Sequence, residues 1–388
     1  MADDGNFIPF AVPDIGEEEV QAVAETVRSG WLTTGNQAAS FEREFAEFLG
    51  GGLFAVAVNS ATAGLHLALE AAGIGPGDEV LLPTWTFTAT AEVVRYLGAT
   101  PILVDVDPDS LCIDYDVAAT FVSSRTKAVM PVHFAGLAVD AAMTSRFASE
   151  HGLSVIEDAA HILPGSSNGE LIGSGDSLAT VFSFYATKTI TTGEGGMLVT
   201  RSQAIADRAK VMRLHGISRD VFNRYTSGSS SWFYEVVAPG FKYNLPDPAA
   251  SIGRVQLRRA WAFHEARSSI AKRYDAAFVD LPLRLPAHAA PGDVHSWHLY
   301  VIRLSDELPI DHTEFIERMA SRGIRCSVHF TPLHMQPYWR QFGGYQNSDF
   351  PVATAEYPRS VSLPAFSSMT DNQIDRVIHA VREILLAA

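Results

Sequence analysis

The stretch Phe54-Ala55-Val56-Ala57-Val58-Asn59-Ser60-Ala61-Thr62-Ala63-Gly64-Leu65 sets the architecture. Its first five residues are apolar without polar alternation, the pattern of a strand buried on both faces of a sheet. A short polar turn follows, and Leu65, Leu67, Ala68 and Leu69 carry a helix. Similar apolar runs recur at residues 79–83, 100–106, 128–132, 154–158, 179–184 and 196–200. With helical stretches between most of them, these seven runs predict an α/β fold, a mostly parallel seven-stranded sheet covered by helices. Beyond Pro248 the pattern changes to a long helical stretch over 250–279, short strands near 298–304 and 323–330, and a helix from Thr370. The division predicted is a large α/β domain over residues 1–248 and a smaller α+β domain over 249–388.

The chain has 388 residues, 47% of them apolar and 19% charged, enough for this two-part organisation. Lys and Arg total 29 against 44 Asp and Glu, a formal charge of −15 that repels nucleic acid and anionic lipid. The two cysteines, Cys112 and Cys326, lie far apart and neither has a second Cys nearby, which argues against a disulfide scaffold and a structural zinc site. Met1–Asn6 lacks the positive start and apolar run of a secretory signal, and no window reaches ~18 consecutive apolar residues. A cytoplasmic protein is expected, acting on small molecules, with neither a nucleic-acid nor a membrane partner.

Ligands of such sheets bind beyond the carboxyl ends of the strands, so the residues following each apolar run carry the functional reading. After the run 179–184 come Tyr185-Ala186-Thr187-Lys188 and the glycine-rich Gly193-Glu194-Gly195-Gly196. A lysine desolvated there has a lowered pKa and can form a Schiff base, although a solvated loop lysine and ordinary turn glycines read the same way. Asp158 closes the run 154–158, where a buried carboxylate needs a cationic or hydrogen-bonding partner; a helix N-cap is the alternative. Asn59-Ser60-Ala61-Thr62 offers hydroxyls and free N–H groups to an anion, or simply caps a helix. Trp85 and Phe87 follow the second run and offer a ring for stacking, or for core packing. Together these four features describe a pocket for a phosphorylated, cationic aromatic aldehyde, and pyridoxal phosphate fits each of them.

Asn59–Leu65, Glu157-Asp158-Ala159-Ala160-His161, Phe182-Ser183-Phe184 with Lys188, Gly193–Gly196 and Gly240-Phe241-Lys242-Tyr243-Asn244 resemble the DegT/DnrJ/EryC1/StrS family of sugar aminotransferases. The resemblance extends from Ser29-Gly30-Trp31-Leu32-Thr33-Thr34-Gly35 to Ser327-Val328-His329-Phe330-Thr331-Pro332-Leu333-His334. It implies fold type I of the pyridoxal-phosphate enzymes and a homodimer with active sites at the subunit interface. It further implies Lys188 as the Schiff-base lysine, Asp158 as partner of the pyridine nitrogen and His161 near the phenolic oxygen. Ala61, Thr62 and Ser183 would hold the phosphate, joined by Asn244 from the neighbouring subunit. Phe87, ahead of Trp85, would stack on the ring, and Thr33, Thr34 and His329 would line the sugar-nucleotide side.

The implied reaction is ping-pong transamination from L-glutamate to a nucleotide-linked ketosugar. The loop Thr189–Gly196 looks more like relatives that aminate the 4-position of a dTDP- or UDP-linked 4-keto-6-deoxyhexose. A 3-keto sugar nucleotide, a keto-cyclitol and a non-catalytic role for the same fold are the competing readings. Lys188 itself argues against the family's dehydratases, which carry His at that position.

Overall fold

Residues 7–218 and 234–387 are described by the computed structural model, and the expectation drawn from Met1–Asn6 lies outside them. Seven strands make the central sheet: β1 (Phe54–Val58), β2 (Glu79–Pro83), β3 (Thr100–Val104), β4 (Thr126–Val129), β5 (Ser154–Asp158), β8 (Ala179–Ser183) and β9 (Gly196–Thr200). Between β5 and β8 lies a small hairpin of β6 (Ser166–Ser167) and β7 (Glu170–Leu171). The sheet order is β1-β9-β8-β5-β4-β2-β3, and β9 alone runs antiparallel to its neighbours. The expected mostly parallel seven-stranded sheet is therefore present.

Side chains of successive strand residues point to opposite faces, which gives the sheet two buried faces. Val56, Val58, Val181 and Leu198 join one apolar core, while Ala55, Ala57, Phe182, Met197 and Val199 join another. The helix Ala61–Ala71 starts earlier than Leu65, because Ser60 caps it by accepting the Ala63 N–H at 3.1 Å. Its Gly64 packs so close to the sheet that a Cβ there would fall 2.6 Å from Val181 Cγ1.

The helix Asp247–Phe278 runs between the two parts of the molecule. Ala250, Leu257, Ala260 and Phe263 bury with the second core of the sheet, and Ile270, Ala271, Tyr274 and Phe278 bury in the core of the smaller part. At its start, the Asp247 carboxylate accepts N–H bonds from Gly35 and Ala38 on Oδ1 and from Gln37 on Oδ2, at 2.7, 3.0 and 3.1 Å. It thus caps the helix Asn36–Phe48 across more than 200 residues.

The smaller sheet holds β10 (Leu283–Arg284), β11 (Tyr300–Leu304) and β12 (Ser360–Leu363), all antiparallel, with Asp371–Leu386 as the last helix. The strand expected near 323–330 is not formed. That segment bridges Ile8 through Ile324 and Ser362 through Ser327, single residues facing different partners, so no ladder can run along it. The third strand is instead Ser360-Val361-Ser362-Leu363, four buried residues beside Pro364. No described helix is long and apolar enough to cross a membrane.

Candidate active site

Beyond the carboxyl ends of β1, β2, β5 and β8 lies a cavity of about 570 Å³. Each strand delivers a different group to it. β8 ends in Ser183 and leads to Lys188, in a turn closed by the Lys188 N–H donating to Tyr185 O at 2.9 Å. The glycine-rich segment folds back beneath this turn: Phe184 N–H donates to Gly195 O, and Gly193 N–H to Thr191 Oγ1, both at 2.9 Å. Gly196 then meets the start of the helix Ala61–Ala71, where a Cβ would lie 2.7 Å from Ala61 N. The helix's opening residues Ala61 and Thr62 line the cavity, and their end of the helix carries the partial positive charge of unpaired N–H groups.

Asp158, the last residue of β5, is buried. No helix follows it, so it is not an N-cap. Its Oδ2 accepts from Thr90 Oγ1 at 2.8 Å and its Oδ1 from Ala160 N–H at 3.1 Å. Burial raises its pKa, against the pull of Thr90, Ala160 and the Lys188 charge. Lys188 is half-buried, and the protein mass around its amine lowers its pKa to about 8, despite the opposing attraction of Asp158. For both groups the loss of solvent outweighs their mutual attraction.

Three histidines surround the same space. His161 Nδ1 accepts the Ala135 N–H at 3.3 Å, which puts the proton of its neutral ring on Nε2. His298 lies with its ring centroid 4.6 Å from that of His161 and its Nε2 3.4 Å from Lys188 Nζ. His329 is tied to Ser362 Oγ through Nδ1 at 2.9 Å. Burial and the Lys188 charge hold all three neutral, His329 down to about 4 and the other two well below the usual histidine range. Phe87, 56% exposed, lines the cavity with its ring 5.5 Å from that of Phe330. Trp85 is fully buried, does not line the cavity, and donates its indole N–H to His329 O at 2.9 Å.

The sequence profile of the DegT/DnrJ/EryC1/StrS aminotransferase family matches residues 13–382. The chain belongs to this family. Among its relatives, the spore coat polysaccharide biosynthesis protein SpsC of Bacillus subtilis is 45% identical over 386 residues, covering 99% of this chain and 98% of SpsC. Among solved structures, Spr1654 of Streptococcus pneumoniae, described as a sugar aminotransferase, superposes in its PMP form with a TM-score of 0.91. The identity is 30%, with 98% of this chain and 99% of that one covered. Its PLP form matches with a TM-score of 0.90. PseC of Helicobacter pylori, an aminotransferase involved in pseudoaminic acid biosynthesis, has a TM-score of 0.90 at 28% identity, covering 98% of this chain and all of PseC.

The family's cofactor is pyridoxal phosphate, and the donor set here fits it. The cavity combines a buried carboxylate, an amine of lowered pKa, an exposed ring face and a helix N-terminus, as one cationic, phosphorylated aromatic aldehyde requires. Of the residues singled out in the sequence, Lys188, Asp158, Ala61, Thr62, Phe87, His161, Ser183 and His329 line this one cavity. Thr33, Thr34 and Asn244 do not. Asn244 Nδ2 donates to Thr34 Oγ1 at 2.7 Å, and Thr34 Oγ1 donates to Leu245 O at 2.6 Å, while Thr33 O accepts the Asp247 N–H at 3.3 Å. Sequence reasoning missed His298, Thr90 and Phe330. Only the place of His298 at the start of the strand expected near 298–304, two residues before the observed β11, pointed toward the first of them.

Proposed function

We propose that this protein is a sugar aminotransferase that moves the amino group of L-glutamate to C4 of a dTDP- or UDP-linked 4-keto-6-deoxyhexose. The observation that carries the reading is the meeting of Lys188 and Asp158 in one cavity with the N-terminus of the helix Ala61–Ala71. The polysaccharide role in the name of SpsC and the sugar aminotransferase described for Spr1654 support the acceptor class. Bound pyridoxal phosphate supplies an aldehyde that captures an amino group and a ring that accepts the electron pair left by proton removal.

In this reading the chain's own residues bind, orient and move protons. Lys188 is the nucleophile toward the aldehyde, and with its pKa near 8 a usable fraction of its amine is uncharged near neutral pH. With the cofactor bound, the same amine would take the proton from the substrate carbon and return it. Asp158 would hold a proton on the ring nitrogen by its charge, and Thr90 and Ala160 keep the carboxylate oriented. Ala61, Thr62 and Ser183 would hold the phosphate, Phe87 would stack on the ring, and His161 would stand near the phenolic oxygen. Asn244, Thr33 and Thr34, outside the cavity of their own chain, serve the cavity of a second copy in a homodimer, and His329 faces the sugar side. The proposed setting is the cytoplasm, in keeping with free Cys112 and Cys326.

The test is the visible absorbance of the cofactor-loaded protein. L-glutamate is expected to bleach the band of the lysine-bound cofactor, and a dTDP-4-keto-6-deoxyhexose to restore it. Bleaching without restoration removes the acceptor assignment and keeps the aminotransferase; no response to glutamate removes both. Lys188→Ala is expected to abolish multiple turnover, and retained turnover would reject Lys188 as the nucleophile.

A further inference from the structure

His298 is built into place with unusual care for a residue outside the four features read from the sequence. The Arg267 guanidinium, buried in the helix Asp247–Phe278, donates through Nη1 to the carbonyls of Trp297, His298 and Ala365 at 3.2, 3.2 and 2.5 Å. On the other side, Ser296 N–H donates to Gly136 O at 2.8 Å and Leu299 N–H to Ala135 O at 3.1 Å. Gly136, at φ +99°, has no room for a side chain, because a Cβ would sit 3.0 Å from His298 N. Between these anchors Trp297 takes a left-handed φ of +51°, a conformation that is unfavourable for a non-glycine residue. The outcome is an imidazole lining the cavity with Nε2 3.4 Å from Lys188 Nζ and a buried Nδ1 that has no hydrogen-bond partner.

That unpartnered nitrogen decides the proton's place. Protonated Nδ1 would bury an N–H donor with nothing to receive it, the rarer and costlier kind of orphan; an unprotonated Nδ1 buries only a lone pair. A doubly protonated ring is opposed by burial and by Lys188, His161, Arg267 and His329 around it. The proton of the neutral ring therefore sits on Nε2, facing the lysine. We propose that His298 is a positioning residue that donates its Nε2–H to the lone pair of Lys188 and so favours the uncharged, proton-accepting amine. Of the charged groups at Lys188, Asp158 pulls the opposite way, while His161 and His329 are neutral. This inference rests on the reading of Lys188 as the lysine that carries the cofactor.

The test uses the cofactor-free full-length protein, in which the amine itself is read. The pH dependence of Lys188 acetylation by limiting acetic anhydride, followed by mass spectrometry of its peptide, reports the amine pKa. His298→Phe, which keeps the site dry and removes the donor, is expected to raise that pKa by about one unit, roughly a tenfold slower reaction at pH 7. His298→Gln, whose carboxamide can donate, is expected to recover most of the shift. An unchanged or lowered pKa in His298→Phe overturns the proposal, since an imidazole that merely packs, or that accepts from an ammonium, predicts those results. Should the variants fail to fold, ¹⁵N NMR of the histidine rings in the unmutated protein decides: protonated Nε2 on His298 supports it, protonated Nδ1 rejects it. Peptide mapping of the borohydride-reduced, cofactor-loaded protein separately tests Lys188 as the carrier, so failure of either reading is recognisable.

Discussion

Thr90 shows how much of the site rests on residues that touch no substrate. Its hydroxyl donates to Asp158 Oδ2 at 2.8 Å and lies 2.7 Å from Thr86 Oγ1, so a chain of hydroxyls backs the carboxylate. Asp158 is buried, burial pushes its pKa up, and the Thr90 bond pulls it down. Thr90→Val keeps the shape and removes that donor, so the carboxylate becomes harder to ionise and, in the role proposed for it, less able to hold a ring-nitrogen proton. A lost hydrogen bond to a charged group is worth about 1.5–3 kcal/mol. Pyridoxal-phosphate affinity, measured by titrating the cofactor-free protein, is therefore expected to fall at least about tenfold, with recovery in Thr90→Ser. Undiminished affinity in Thr90→Val would show that Ala160 N–H alone suffices to orient Asp158.

At the scale of elements, the site depends on how the helix Ala61–Ala71 is pressed onto the sheet. Gly64 faces Val181, whose β-branched side chain has little rotamer freedom. In Gly64→Ala the helix must lift, and overpacking outweighs the roughly 1 kcal/mol of helix propensity gained. A net loss of about 1–2 kcal/mol is expected in urea unfolding, together with weaker phosphate binding, because the lifted end carries Ala61 and Thr62. Equal or greater stability would mean that the helix is not held by this contact. The same scale explains what the sequence makes legible. Most strands of the large sheet fall on apolar runs, and Asp158, Ser183, Lys188, Ala61 and Phe87 lie at or just beyond the ends of those runs. Thr90 meets Asp158 across 68 residues and His298 meets Lys188 across 110, and no local pattern encodes such pairings. The smaller sheet is less legible for a related reason. Ser360–Leu363 is four residues long, and the segment around 323–330 has apolar residues without a continuous partner strand.

Across the whole molecule, buried neutral histidines make the fold sensitive to acid. Burial holds His133 and His295 down to about 3, His329 and His334 to about 4, and His161 and His298 well below their usual range. They are spread through the structure: His334 joins Thr84 to Thr354, and His295 and His298 lead into β11. Below pH ~6.5 the unfolded chain protonates all six while the folded chain does not, so the unfolded state binds more protons and stability falls as the pH is lowered. Each such group contributes up to about 1.4 kcal/mol per pH unit until its own folded pKa is reached. Glu157 and Asp158 act in the opposite sense, since burial raises their pKa and the folded chain keeps protons that the unfolded chain has released. Six groups outweigh two. The urea midpoint of the cofactor-free protein is therefore expected to drop steeply between pH 6.5 and 4.5, with both parts of the molecule unfolding together because the helix Asp247–Phe278 buries residues in both cores. A midpoint that stays level over this interval would mean that water or counter-ions reach these imidazoles in the folded state.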